Sequence, residues 1–273
     1  MRVVALSRWN NYYIAGLNQI KRDYGADGIY LDEIAYDRTT MLRGRRILGD
    51  GGVIDHHCHI GFVSRSCAMN YMELYPFITR LWYGEGFNYD TPDADNWLVE
   101  IAAFETGLSA DMLRYSGPAS YAYRGMLVGS AFRYGTGNFD PTALWALWDS
   151  FGIMNSTMIG WWEDYETPQG AGPGRSTAVV PVATSAPGVL KLTVYVKKGV
   201  AAMIVIADWN HTQPAVEFEL SYDWAALGLS SATAKLVAPL LPPFQLEPTV
   251  GEFAPSHQFR VNATQGGLLL VLQ

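Results

Sequence analysis

The chain has 273 residues, room for one large domain or two ordinary ones; with 49% hydrophobic and 16% charged residues it describes a well-buried globular protein. A formal charge of −7 argues against nucleic acid as a partner, since a phosphate backbone needs a basic face, and no basic amphipathic stretch suits an anionic membrane. The longest apolar runs, such as 201–207 and 268–272, are strand-length and far short of the ~20 residues of a membrane span.

Trp9–Tyr24 has apolar residues at helical spacing with Gly25 just beyond, and predicts a helix. Gly28–Asp32 (GIYLD) follows as a buried strand and Thr39–Leu48 as a basic helix, with Arg43, Arg45 and Arg46 on a solvated face. Gly52–His57 predicts a second strand, Met69–Ile78 a helix and Leu81–Glu85 a third strand. Trp97–Ala103 and Gly125–Ser130 read as two further strands, and Pro141–Phe151 as an aromatic-rich helix. Strands alternating with helices imply a parallel sheet with crossovers.

No phosphate-cradling glycine loop follows the first strand, as an open dinucleotide-binding sheet would require. We therefore expect an α/β fold: the C-terminal part of a (β/α)8 barrel, units four to eight, over residues 1–154. The first three units, and with them the native N-terminus, are expected to lie outside the chain. Five strands would leave two parallel edges open, so self-association and no turnover on aryl glycosides are expected of the chain alone.

Residues 155–175 read as a junction, with GAGPG at 170–174; Pro173 has no N–H to donate, which disfavours a phosphate loop there. From 176 to 273 the pattern becomes all-β. Val189–Val196 and Val200–Asp208, joined at Lys197-Lys198-Gly199, form the strongest hairpin signal in the chain. Ala215–Leu220, Thr233–Val237, Gln258–Asn262 and Gly267–Leu272 follow as strands of an antiparallel β-sandwich.

The residues able to carry chemistry cluster at strand ends. Along GIYLD the side chains alternate, so Tyr30 and Asp32 share the face opposite Ile29 and Leu31. Asp32 then sits at the C-terminal end of a barrel strand, where such active sites are built, with Glu33 and Asp37 close behind. Asp37 equally suits the N-cap of the next helix. In RLWYGEGFNYD, Glu85 lies between two glycines among Trp82, Tyr83, Phe87 and Tyr89, surroundings that raise a carboxyl pKa as a general acid requires.

Glycoside hydrolysis needs two such groups, and Asp32 with Glu85 can face each other across a barrel mouth. An adjacent pair such as Asp32-Glu33 also suits a substrate-assisted route, in which the sugar's own N-acetyl group attacks. Asp55-x-His57-x-His59 has the spacing of a metal-binding strand, but the only other histidines outside this run, His211 and His257, fall in the β region, so a binuclear site cannot be completed. His57 and His59 are read instead as pocket residues that contact substrate hydroxyls, beside Tyr30, Asp37, Trp82 and Tyr83. Glu100 suits a structural ion pair with Arg80, Arg114 or Arg124, and Trp161-Trp162 a place near the pocket.

Cys58 and Cys67 form no disulfide framework. Sequons at Asn155, Asn210 and Asn262, against about one by chance, lean toward a secretory route without fixing the compartment. No metal or other cofactor is implied.

GIYLDEIAYDR, NYMELYPFITRLWYGEGFNYD, WLVEIAAFETGL, YRGMLVG and LWALWDSFGI…MIGWW together resemble glycosidase-like proteins related to glycoside hydrolase family 123, over roughly residues 9–273. The resemblance implies a (β/α)8 barrel with a β-sandwich and a carbohydrate substrate. Family 123 enzymes act on β-linked N-acetylgalactosamine through an adjacent Asp-Glu pair, which Asp32-Glu33 resembles. The leading expectation is a glycoside hydrolase working by paired-carboxylate acid/base chemistry. The alternatives are a catalytically inactive carbohydrate-binding protein and a metal-dependent amidohydrolase using His57 and His59.

Overall fold

A computed structural model describes residues 2–3, 7–32, 35–58, 72–83, 93–100, 120–130, 140–164, 180–209 and 214–273. The chain divides into two compact units, residues 1–114 and 115–273.

The first unit opens with β1 (Arg2–Val3) and helix α1 (Arg8–Tyr24). Ser7 caps α1 by accepting from the Asn10 N–H at 3.2 Å, and Gly25, in the left-handed region at φ 69°, closes its C-terminus. Strands β2 (Gly28–Asp32) and β3 (Ala35–Tyr36) lead into α2 (Arg38–Leu48), then β4 (Val53–Cys58) and β5 (Arg80–Tyr83). β2, β4 and β5 form a three-stranded parallel sheet in that order, and β1 pairs with β3 in parallel.

Between β4 and β5 the expected helix is a 3-10 helix, Met72–Phe77. Pro76 inside it has no N–H for an α ladder, and Ile78 N bonds Tyr75 O at 3.0 Å. Of the strand expected at 97–103, residues 101–103 lie outside the described residues, and 97–100 belong to helix α3 (Ala94–Glu100). Asp93 starts it, its carboxylate accepting from the Asn96 N–H at 2.9 Å. Trp97, fully buried, supplies the apolar signal that a strand would have given equally well. Arg45 does not simply lie in solvent; it donates to Gly52 O and to Thr79 Oγ1, tying α2 to the start of the sheet.

The second unit begins with α4 (Ser120–Leu127), where residues 125–130 had been expected as a strand. Tyr121 to Val128 are buried without interruption, so the helix shows no amphipathic stripe to betray its period. It is followed by α5 (Thr142–Phe151), β6 (Thr157–Ile159), β7 (Val182–Thr184) and the hairpin β8 (Leu190–Lys197) and β9 (Ala201–Asp208). Then come β10 (Ala215–Phe218), β11 (Leu220–Tyr222), the single turn α6 (Trp224–Leu227) and β12 (Leu236–Ala238). The unit ends with β13 (Gly251–Phe253), β14 (Phe259–Asn262) and β15 (Gly267–Leu272).

Six of these strands make one antiparallel sheet in the order β13-β12-β15-β9-β8-β6. Two antiparallel pairs, β10-β14 and β11-β7, cover one face through Val216, Phe218, Phe259, Val261, Val182 and Leu220. Helix α4 covers the other. Tyr195 and Thr193 on β8 donate their hydroxyls to its last carbonyls, Met126 O at 2.7 Å and Leu127 O at 2.8 Å. Covered on both sides, β8 is buried from Leu192 to Val196 and β9 from Ala202 to Asp208; β9 is apolar on both faces up to Ala207, whereas β8 turns Thr193 and Tyr195 toward α4. A Cβ on Gly267 would collide with the Tyr123 ring and the Ile206 carbonyl, so glycine there lets α4 sit directly on β15. Arg124, also on α4 and buried, lays its guanidinium over the Trp209 ring at 4.6 Å and donates to Trp209 O.

Candidate functional site

The register of the parallel sheet sorts its side chains into two rows. Leu31, His56 and Leu81 are in register on one face, and all three are buried. On the other, Tyr30, Asp55 and Arg80 form one level, and Asp32 and His57 the next level toward the strand C-termini. This is the alternation expected from GIYLD, and it brings together residues far apart in the chain.

At the C-terminal level, His57 Nδ1 lies 2.7 Å from Asp32 Oδ1. A carboxylate can only accept, so the ring donates from Nδ1. The two partners differ in environment: the His57 side chain is 7% exposed and that of Asp32 65%. A buried ring thus holds one oxygen of a solvent-facing carboxylate. Tyr30, half exposed, stacks near this ring with centroids 6.2 Å apart.

One level below, Asp55 and Arg80 make a two-pronged ion pair, Nε to Oδ1 at 2.9 Å and the second guanidinium nitrogen to Oδ2. Sequence reasoning missed this pair, having weighed Arg80 as a partner for Glu100. Its only trace in the sequence is that, by alternation, Asp55 falls on the same face of β4 as His57. Of the Asp55-x-His57-x-His59 run, Asp55 thus faces Arg80 and His57 faces Asp32. Among the described residues no group of three or more His, Cys, Asp or Glu is placed to hold a metal ion.

His56, on the opposite face between Leu31 and Leu81, has its pKa lowered to about 4, first by burial and then by neighbouring His57. It belongs to the packing layer of the sheet.

Asp37 sits at the N-cap of α2. Its carboxylate accepts from Thr39 N, Thr40 N, the Thr40 hydroxyl and the Asn10 side-chain amide. These bonds stabilise its charged form and lower its pKa against a desolvation effect that raises it. That is the capping role which its position before Thr39 allowed.

Trp82 and Tyr83 close β5, in register with His57 and Cys58. Glu33, His59 and Glu85, the remaining predicted site residues, lie outside the described residues. In the second unit, Trp161 is buried with the Lys191 ammonium over its ring.

No curated protein sequence matches the chain. The profile of the glycoside hydrolase 123 TIM-barrel domain matches residues 1–135, and that of the glycoside hydrolase 123 C-terminal domain matches residues 140–273. The first match contains the parallel sheet with Asp32 and His57, the second most of the antiparallel sandwich. Together the two cover the chain but for residues 136–139, and the chain belongs to glycoside hydrolase family 123.

Proposed function

We propose that the protein hydrolyses a β-linked N-acetylhexosaminide by a substrate-assisted route, with Asp32 as the orienting carboxylate and Glu33 as the acid and base. The observation that carries this reading is the Asp32–His57 hydrogen bond at the C-terminal edge of the parallel sheet. His57 occupies one oxygen of Asp32 and leaves the other, on an exposed group, to accept the N–H of a 2-acetamido substituent. Held so, the acetamide carbonyl oxygen attacks the anomeric carbon as the glycosidic C–O bond breaks. Glu33 gives its proton to the departing oxygen. Water then opens the resulting oxazolinium ring, whose N–H stays bonded to the Asp32 carboxylate, with the Glu33 carboxylate taking the water's proton. Tyr30 offers an exposed ring beside Asp32 against which a sugar face can stack.

Family membership supports the choice of an adjacent Asp-Glu pair. A second reading pairs Asp32 with Glu85 on opposite sides of the bond. In its favour, β5 runs parallel to β4, and Glu85 follows two residues after the strand end at Tyr83. The substrate decides between them. Turnover of an aryl N-acetyl-β-galactosaminide with none of the corresponding aryl β-galactoside is the result expected of the acetamide route. Comparable turnover of both sugars would remove it and leave the Asp32 and Glu85 pairing.

A further inference from the structure

The antiparallel unit carries a cavity of about 760 Å³ that the hydrolytic chemistry does not use. Its floor is apolar: Phe244, Phe259 and Leu268 are buried. To one side stands a ring cluster. Phe253 and His257 lie with centroids 4.5 Å apart, and His257 meets Phe259 edge-on at 4.7 Å. His257 is exposed, so this cluster presents a ring to solvent at the cavity mouth.

The remaining lining is polar and of mixed character. Gln258, Asn262 and Gln265 bring carboxamides, Thr249 and Thr264 hydroxyls, and Glu247 and Arg260 one charge of each sign.

The walls are held from behind. Gln245, fully buried, donates to Pro239 O at 2.8 Å and Leu269 O at 2.9 Å and accepts from Leu269 N at 2.8 Å, which pins the segment carrying Phe244 to β15. Across the cavity, Asn262 Oδ1 accepts from Gln265 N at 2.7 Å and fixes the β14–β15 turn. The cavity is therefore pre-formed, and binding need not pay to order its walls.

We propose that this cavity is a second carbohydrate site, which binds a neutral pyranose or short oligosaccharide without cleaving it. A pyranose presents C–H faces that pack on rings, and hydroxyls that each donate and accept. The lining answers both demands. Amides and hydroxyls serve either role, while Glu247 and Arg260 balance each other and give no net attraction for an anion. The volume falls within the ~300–1,000 Å³ of small-molecule sites. The proposal rests on the carbohydrate reading for its ligand class, but on none of the residues of the parallel sheet.

The test is ligand-observed NMR on the full chain carrying Asp32→Asn, with methyl N-acetyl-β-galactosaminide, methyl β-galactoside and lactose as probes. Saturable binding of at least one probe is expected, weakened at least tenfold by His257→Ala and, independently, by Arg260→Ala. Both side chains are exposed, so the fold should survive their loss. No binding, or binding indifferent to both substitutions, would overturn the second site. In the chain with Asp32 restored, His257→Ala is expected to leave hydrolysis of a small aryl glycoside unchanged; a loss matching that of Asp32→Asn would mean one site only and would also overturn it. Because binding and turnover are read separately, failure of the hydrolase reading leaves the cavity result standing, and the converse holds.

Discussion

Asp32 and His57 are in register on neighbouring parallel strands, and the imidazole Nδ1 stands 2.7 Å from the carboxylate oxygen Oδ1. The ring is buried and the carboxylate faces solvent; in the proposed reaction His57 is a positioning residue for Asp32. His57→Ala should lower kcat by about tenfold to a hundredfold with a smaller change in KM, because a freed carboxylate samples other rotamers. His57→Asn, which can still donate to Asp32, should recover part of the loss. Equal damage by both variants would assign His57 a role other than holding Asp32.

His56 predicts a pH dependence of stability. Its pKa falls from an ordinary 6.5 to about 4 on folding, so the unfolded state binds the extra proton between those values. Stability from this group is complete above the unfolded pKa and is lost as the pH falls toward 4. The loss is on the order of 3 kcal/mol. Urea denaturation from pH 7 to 4.5 should show a slope that His56→Leu flattens; an unchanged slope would contradict the burial argument.

Arg80 shields a buried carboxylate. Removing its guanidinium in Arg80→Met leaves the buried Asp55 without its two-pronged partner. The expected destabilisation is about 1–3 kcal/mol, reduced from a fully buried pair because Arg80 is half exposed. Asp55→Asn with Arg80→Met should recover part of it in a double-mutant cycle.

Gly267 is where α4 touches the sheet. Gly267→Ala pushes a methyl group into the Tyr123 ring and the Ile206 carbonyl, which should cost about 1–3 kcal/mol by overpacking. A thermal melt that does not move would show that α4 can shift without cost.

Much of the architecture was legible in residue order because it is written locally. GIYLD alternates, Ser7 and Gly25 bracket α1, and the 189–208 hairpin carries its turn at Lys198-Gly199. α4 is buried all round, and such a short helix gives the same apolar run as a buried strand; in α3 the apolar run begins only at Trp97, after the exposed Asp95 and Asn96. The count of five strands rested on those two segments; among the described residues the parallel sheet has three, β2, β4 and β5. In the candidate site, the position of Asp32 on its strand could be read directly. Its bond to His57 could not, nor could the Asp55–Arg80 pair. Each depends on the register between strands 25 residues apart, which no local pattern encodes.

The proposed hydrolysis depends on the Asp32 carboxylate. It is tested most directly by kcat/KM for an aryl N-acetyl-β-galactosaminide in the wild-type protein and in Asp32→Asn, whose exposed side chain leaves the core untouched. We expect a fall of about 10²–10⁴-fold at unchanged thermal stability. Activity in Asp32→Asn equal to that of the wild type would show that Asp32 takes no part in the reaction.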